Sequence, residues 1–301
     1  MILVAGATGY VGGEVCRRLA ASGKPVRALV RPTADQGRIA PLRAAGVETV
    51  TGDLKDRRSL DAACRGVRAV VSTAAAIASR QSGDSFQTVD LEGQKSLIDA
   101  ARASGVEHFV FVSLSGEFPP GDNPLVSAKR EVEGYLKRSG LTYTILRPTN
   151  FMEIWLSPML GFDPMNGRAR IYGDGRNKRS WISLGDVAEF AVRALDIPAA
   201  RNATIELGGP EALSPLEVVR SFEEVTGRPI QVEHVPESAL RAQRDAATNP
   251  LDKTFAALML GTAQSEEIDM RRTLEDFPIR LRTIREYARW MVSQSPAPQH
   301  A

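Results

Sequence analysis

Apolar and polar positions change rhythm repeatedly along the first 150 residues. Short runs of aliphatic and β-branched residues, at 2–5, 26–30, 47–51, 69–72, 109–112 and 143–146, alternate with segments of helical spacing near 12–21, 39–45, 57–63, 86–104 and 127–139. This alternation predicts parallel strands covered on both faces, with the helices supplying the crossovers that parallel pairing requires. Gly23, Gly46, Gly105 and Gly140 each close a helical segment just before the next strand, where a left-handed cap suits glycine best.

The texture changes after Arg147 and Pro148. Residues 151–175 mix Met, Trp, Pro and Gly, which predicts loop-rich structure and a lobe boundary near Asn150. Beyond it, 184–195 reads as a helix, 204–207 as a strand and 215–226 as a helix opened by Ser214 with proline in its first turn. A strand is expected at 230–235 and helices at 240–261 and 281–292, followed by a frayed polar tail over 294–301. The expected division is a domain over 1–150 and a smaller lobe over 151–301, with parts of 182–208 returning to the first sheet.

Composition narrows the function classes. A chain of 301 residues that is 43% hydrophobic and 25% charged can bury a full core, and a dispersed net charge of +2 gives no reason to invoke nucleic acid or an anionic membrane. No leader pattern and no apolar run near the roughly 20 residues of a membrane span is apparent, so a cytoplasmic monomer or homodimer is expected. Cys16 and Cys64 lie in helical segments at a spacing that fits neither a zinc clip nor a disulfide framework, and they read as packing thiols. His108, His234 and His300 are far apart, so no metal is expected.

Candidate chemistry begins directly after the first strand. Gly6-Ala7-Thr8-Gly9-Tyr10-Val11-Gly12 runs from a strand into a helix, the context in which glycine spacing becomes a phosphate cradle. Gly6 would permit the turn, Gly9 would let a pyrophosphate approach the backbone, and Gly12 would let helix and strand pack closely. The helix amino terminus would then present N–H groups to the phosphates. These features predict a Rossmann-type, doubly wound α/β domain binding a dinucleotide.

An acid at the end of the second strand would hold the ribose of NAD, and none is there. Arg31 stands at that point instead and can pair with a 2′-phosphate, so NADP(H) is expected over NAD(H); the alternative is a solvated loop arginine. Asp53 and Leu54, after the third strand, lie where an adenine would be held, although an aspartate in a turn also caps helices.

With these residues the chain resembles the atypical short-chain dehydrogenase/reductases of the NmrA-like kind, a group similar to isoflavone-reductase-like enzymes and NADPH:quinone oxidoreductases. The motifs that carry the resemblance are the glycine cradle, Val30-Arg31-Pro32, Gly52-Asp53-Leu54, Phe111-Val112-Ser113, Leu146-Arg147-Pro148 and Asp186-Val187-Ala188. The resemblance implies that Thr73, Ala74 and Ala75 border the cofactor and that the substrate pocket begins after Pro148. It also places Ser113 at the family's usual serine and Lys129 at its lysine.

One departure concerns the proton chemistry. Short-chain dehydrogenases carry Tyr-x-x-x-Lys on the helix after the fifth strand, whereas here the frame is Leu125-Val126-Ser127-Ala128-Lys129. An aliphatic side chain cannot give a proton to a carbonyl oxygen. Lys129 therefore has two readings: a desolvated lysine that contacts the nicotinamide ribose and acts as acid or base, or a solvated helix lysine. Phe151, Met152 and Trp155 open an apolar stripe that is either a pocket wall for a flat acceptor or plain core, with Tyr10 and Asn150 near the pocket entrance. The expected function is NADPH-dependent reduction of a quinone, enone or similar conjugated molecule. The competing expectations are a non-catalytic NADP(H) sensor that regulates a protein partner and an accessory protein that retains a nucleotide.

Overall fold

A computed structural model of the chain describes residues 1–79, 81–116, 118, 123–264 and 266–294. Six strands form a continuous parallel ladder: β1 (Ile2–Ala5), β2 (Val26–Val30), β3 (Glu48–Thr51), β4 (Ala69–Ser72), β5 (His108–Val112) and β6 (Thr142–Pro148). With β11 (Ala203–Leu207) beside β6, the order across the sheet is β11-β6-β5-β4-β1-β2-β3. The strand order reverses between β1 and β4, and in open α/β sheets the crevice at the carboxyl ends of such a pair receives the ligand.

The crossovers are α1 (Tyr10–Ala21), α2 (Gln36–Ala44), α3 (Arg57–Ala63), α4 (Gln94–Ala103) and α5 (Pro124–Lys137). Gly23, Gly46, Gly105 and Gly140 all have φ between 73° and 83°, so the left-handed caps expected at these helix ends are present. Two helices start earlier than their apolar pattern suggests, because a side chain caps them. Asp35 accepts from the Gly37 N–H at 2.9 Å, and Asn123 accepts from the Leu125 and Val126 N–H groups. The segment expected as one helix over 86–104 begins with a π-helical stretch, Phe86–Gly93, before α4. Gly93 is needed there, since a Cβ would lie 2.8 Å from the Leu54 Cβ.

The chain divides into two units. The first comprises Met1–Pro148, Gly185–Glu206 and Thr273–Ile279. Within it α7 (Leu184–Arg193) brings Phe190 against Phe277, ring centroids 5.4 Å apart, and pairs Glu189 with Arg18 of α1. The second unit comprises Thr149–Leu184, Leu207–Arg272 and Arg280–Ala301.

The second unit holds more regular structure than its Pro- and Gly-rich opening implies. β7 (Asn150–Phe151), β10 (Arg179–Ile182) and β12 (Ala212–Leu213) form one small sheet, and β8 (Phe162–Asp163), β9 (Arg168–Tyr172) and β13 (Gln231–Val235) another. Its main core packs Met152, Phe162, Ile171 and Trp181 against Phe222 of α8 (Pro215–Thr226) and Tyr287 of α12 (Ile284–Gln294). The helix expected over 240–261 is two, α9 (Glu237–Ala246) and α10 (Pro250–Thr262). Asn249 caps the second by accepting from the Asp252 N–H, and Pro250 cannot continue the first. The tail expected to fray lies, from Ser295 onward, outside the described residues.

Candidate functional site

The glycine cradle leaves β1 and enters α1 without a side-chain cap, so the first N–H groups of α1 are directed outward. Gly6 has φ 82°, and a Cβ there would lie 2.6 Å from Thr73 Oγ1 and 2.7 Å from the Ala74 nitrogen. At Gly12 a Cβ would meet the Gly6 carbonyl oxygen at 2.3 Å and Thr73 Oγ1 at 2.7 Å. Both glycines are therefore dictated by the fold. Gly9 is different: its φ is −82°, and the one contact its Cβ would make is with the Gly6 oxygen at 3.2 Å. The fold gives no strong reason for glycine there, and the space beyond it is open. Val11 is half-buried in the first turn of α1, while Tyr10 stands 72% exposed with the Arg38 guanidinium 5.6 Å from its ring. Arg38 also donates to the Thr8 carbonyl oxygen at 2.9 Å, which places a cation on the cradle.

Across the switch point, the loop after β4 is held from beneath by two buried residues one turn apart. Gln94 donates to the Ala74 carbonyl at 3.0 Å and accepts from Ser72 Oγ at 2.8 Å, and Asp90 accepts from the Ala76 N–H at 2.9 Å. Thr73 Oγ1 lies 3.2 Å from the Ala5 carbonyl oxygen, and Ala75 is exposed. Thr73, Ala74 and Ala75 thus form a fixed ledge beside Gly6.

Lys129 lies under the same ledge. Its side chain is enclosed, so the solvated alternative is set aside. Its Nζ donates to the Val112 carbonyl at 3.2 Å, lies 3.7 Å from Asp90 Oδ1 and sits 4.8 Å from the Phe111 ring centroid. Asp90 Oδ1 has no other partner. Burial dominates both groups: it lowers the lysine pKa and raises that of Asp90, while their mutual attraction opposes each shift. Both are thereby pushed toward their neutral forms. Leu125, one turn before Lys129 on α5, is buried.

At the outer end of the sheet, Arg31 does not stand free. Its Nη1 is 2.6 Å from Asp84 Oδ2, and Lys55 and Ser79 donate to the same carboxylate. Asp53 closes a turn by accepting from the Lys55 N–H at 2.9 Å, while Asp56 caps α3 by accepting from the Arg58 N–H. Leu54 is buried under the π-helical stretch.

Three expected site residues are placed elsewhere. Ser113 is buried and its hydroxyl donates to Glu133 at 2.5 Å, inside a network in which Glu133 also accepts from Arg130 and Arg147. A serine so committed fixes the strand end and has no hydroxyl proton to offer a ligand. Asn150, in the second unit, is 3% exposed and accepts from Arg179 at 2.9 Å, so it does not stand at an entrance. Arg179 must pair there because it is wholly enclosed and needs Glu266 and carbonyl oxygens as partners. Met152 is fully buried in the second unit's core and is not a pocket wall. Phe151 is half-buried in β7, and Trp155 packs edge-on against Tyr172 and borders a cavity of about 30 Å³. That volume suits a water and not a planar acceptor. Cys16 and Cys64 are buried, and desolvation pushes their pKa values up to about 12 and about 11, which suits packing thiols. Among the described residues no helix is long and apolar enough to cross a membrane.

A parallel sheet with a glycine cradle and a ledge at its switch point defines a Rossmann-type dinucleotide-binding fold. The chain belongs to the NmrA-like family, whose model matches residues 1–288. It is 33% identical over 234 residues to the NAD(P)H azoreductase of Xenophilus azovorans, covering 77% of this chain and 76% of that protein. It is 29% identical over 246 residues to the photosystem II assembly factor Ycf39 of Cyanophora paradoxa, covering 82% of this chain and 75% of that one. In fold it is similar to the NADPH-dependent quinone oxidoreductase QOR2 of Escherichia coli complexed with NADPH, at a TM-score of 0.77 and 22% identity, over 97% of this chain and all of that one.

Proposed function

We propose that the protein is an NADP(H)-dependent reductase of a quinone, azo or similarly conjugated acceptor. The observation that carries the proposal is Gly9, a glycine the fold hardly needs, at the open mouth of an uncapped helix. A diphosphate is the ligand that needs both the bare backbone and the outward N–H groups. Gly6 to Gly12 would hold it, Thr73 to Ala75 would border its nicotinamide half, and Arg31, Lys55 and Arg38 would receive the adenosine phosphates.

When bound, the cofactor supplies a hydride. The chain's own contribution is binding and orientation, because Leu125 carries no proton and Ser113 is spent on Glu133. Lys129 is the residue assigned to the ribose and to stabilising charge near it, and its desolvation brings proton release closer to neutral pH. An acceptor whose conjugation spreads incoming charge needs little acid help. The relative named as an azoreductase supports this acceptor class.

Steady NADPH oxidation across a panel of quinones, enones and azo dyes tests the proposal, with turnover of several panel members expected. Tight NADPH binding with no turnover of any acceptor would overturn it. That result would favour an accessory role, for which the likeness to an assembly factor speaks.

A further inference from the structure

We propose that Asp84 is a specificity-determining residue of the adenosine-ribose site: its carboxylate occupies the cations Arg31 and Lys55, so that a 2′-phosphate must displace it whereas a 2′-hydroxyl need not. The proposal rests on the cofactor reading above. Arg31 directly follows β2 and Lys55 follows β3, so the two cations lie at the ends of adjacent strands on the outer half of the sheet. Asp84 reaches them from the long connection after β4, and its side chain is only 3% exposed, against 36% for Arg31 and 28% for Lys55. Ser79 donates a third hydrogen bond to the same carboxylate.

The cations are therefore the accessible members of the group and the acid is its enclosed centre. Sequence spacing finds no acid at the end of the second strand, yet the fold delivers one to that point from more than 50 residues away. A ribose 2′-hydroxyl can donate to this carboxylate and leave both ion pairs standing. A 2′-phosphate brings nearly two negative charges to the same cations and must share them with Asp84 or push it aside. Arg31 thus attracts NADP(H) while Asp84 limits the gain, and the protein discriminates weakly between the two dinucleotides.

Calorimetric titration of the whole protein with NADPH, NADH, adenosine 2′,5′-bisphosphate and 5′-AMP tests this. In the unmodified protein the NADPH to NADH affinity ratio should stay below roughly a hundredfold, the reach of charge-assisted pairing to one phosphate. Asp84→Asn and Asp84→Ser remove the charge and keep a hydrogen-bond acceptor. Each should tighten NADPH and the bisphosphate by about tenfold or more relative to NADH and AMP, whose 2′-hydroxyl loses a charge-assisted acceptor and gains nothing. Asp84→Glu, which retains the charge, should keep the original ratio. An unmodified ratio above roughly a hundredfold, or an unchanged ratio in a neutral variant that melts normally, would overturn the role of Asp84. Absence of any dinucleotide binding would instead remove the cofactor reading and this inference with it.

Discussion

Gly9 and Gly12 stand three residues apart in one cradle, and replacing each should produce opposite phenotypes. In Gly12→Ala the new methyl lies 2.3 Å from the Gly6 carbonyl oxygen and 2.7 Å from both the Gly6 carbonyl carbon and Thr73 Oγ1. Backbone atoms cannot rotate away, so β1 and α1 must separate, and overpacking of this kind costs about 1–3 kcal/mol. A 2.3 Å contact with backbone puts the strain at the upper end of that range, and alanine's better helix propensity returns about 1 kcal/mol, which leaves a net loss of roughly 2 kcal/mol. In Gly9→Val the backbone keeps an ordinary φ of −82°, and the one tight contact is 3.2 Å. Stability should change by less than about 1 kcal/mol. Binding should collapse, because losing two charge-assisted N–H contacts to phosphate removes about 3–6 kcal/mol, a hundredfold or more in affinity. Urea denaturation and NADPH calorimetry on both variants separate the effects. A Gly9→Val protein that binds NADPH normally, or a Gly12→Ala protein as stable as its parent, would refute the assignment of these glycines.

Three further outcomes are expected. Burial pushes the His108 imidazole down to about 4, and its Nε2 lies 2.9 Å from Thr144 Oγ1, whose hydroxyl donates to Ala200. The native state holds this ring neutral, so stability should be full above pH 6.5 and fall by up to roughly 3 kcal/mol as pH drops toward 4, a slope that His108→Gln should flatten in urea titrations. Cys16 and Cys64 should resist a thiol reagent in the native protein and both react after unfolding; rapid native labelling of either would contradict their burial. Asp90→Ala should destabilise the protein by about 1–3 kcal/mol, because it leaves the buried Ala76 N–H and Lys129 without their acceptor, and Lys129→Met added to it should restore part of the loss; additive losses in that double-mutant cycle would deny the coupling.

The alternation of apolar runs and helical segments was enough to place the six parallel strands, because both faces of the central strands β1, β4 and β5 are buried and those strands are read directly from their composition. The cradle was legible for a related reason: Gly6 and Gly12 are local steric necessities. What escaped was anything assembled across distance. Asp84 lies in a connection without periodicity, and nothing local says it returns to Arg31. Arg38 falls inside a weakly amphipathic helix. Asp90 and Gln94 did leave a signal, since positions 90, 94, 97 and 101 share one helical face and two of them are polar on an otherwise apolar stripe. The apolar stripe after Pro148 misled in the other direction: Met152 is equally suited to a pocket or a core, and only packing against Trp181 and Phe222 decides for the core.

Three buried carboxylates share a task along the carboxyl edge of the first unit's sheet. Asp84 ties the connection after β4 to the ends of β2 and β3, Asp90 holds the ledge through Ala76 and faces Lys129, and Glu133 binds Ser113 beside Arg130 and Arg147. An acid poised for proton transfer is left without such partners or has its pKa raised, as burial does for Asp90. Asp84 and Glu133 are instead held ionised: burial alone would raise their pKa values, but the cations and hydroxyls donating to them outweigh it. Two of the three acids at the edge are thus structural anchors for the loops around the cradle. On the proposed function, the Lys129–Asp90 pair is what remains at this edge for proton chemistry, and the rest of the edge would keep a bound dinucleotide in one orientation. Hydride transfer to a conjugated acceptor asks for little more than that.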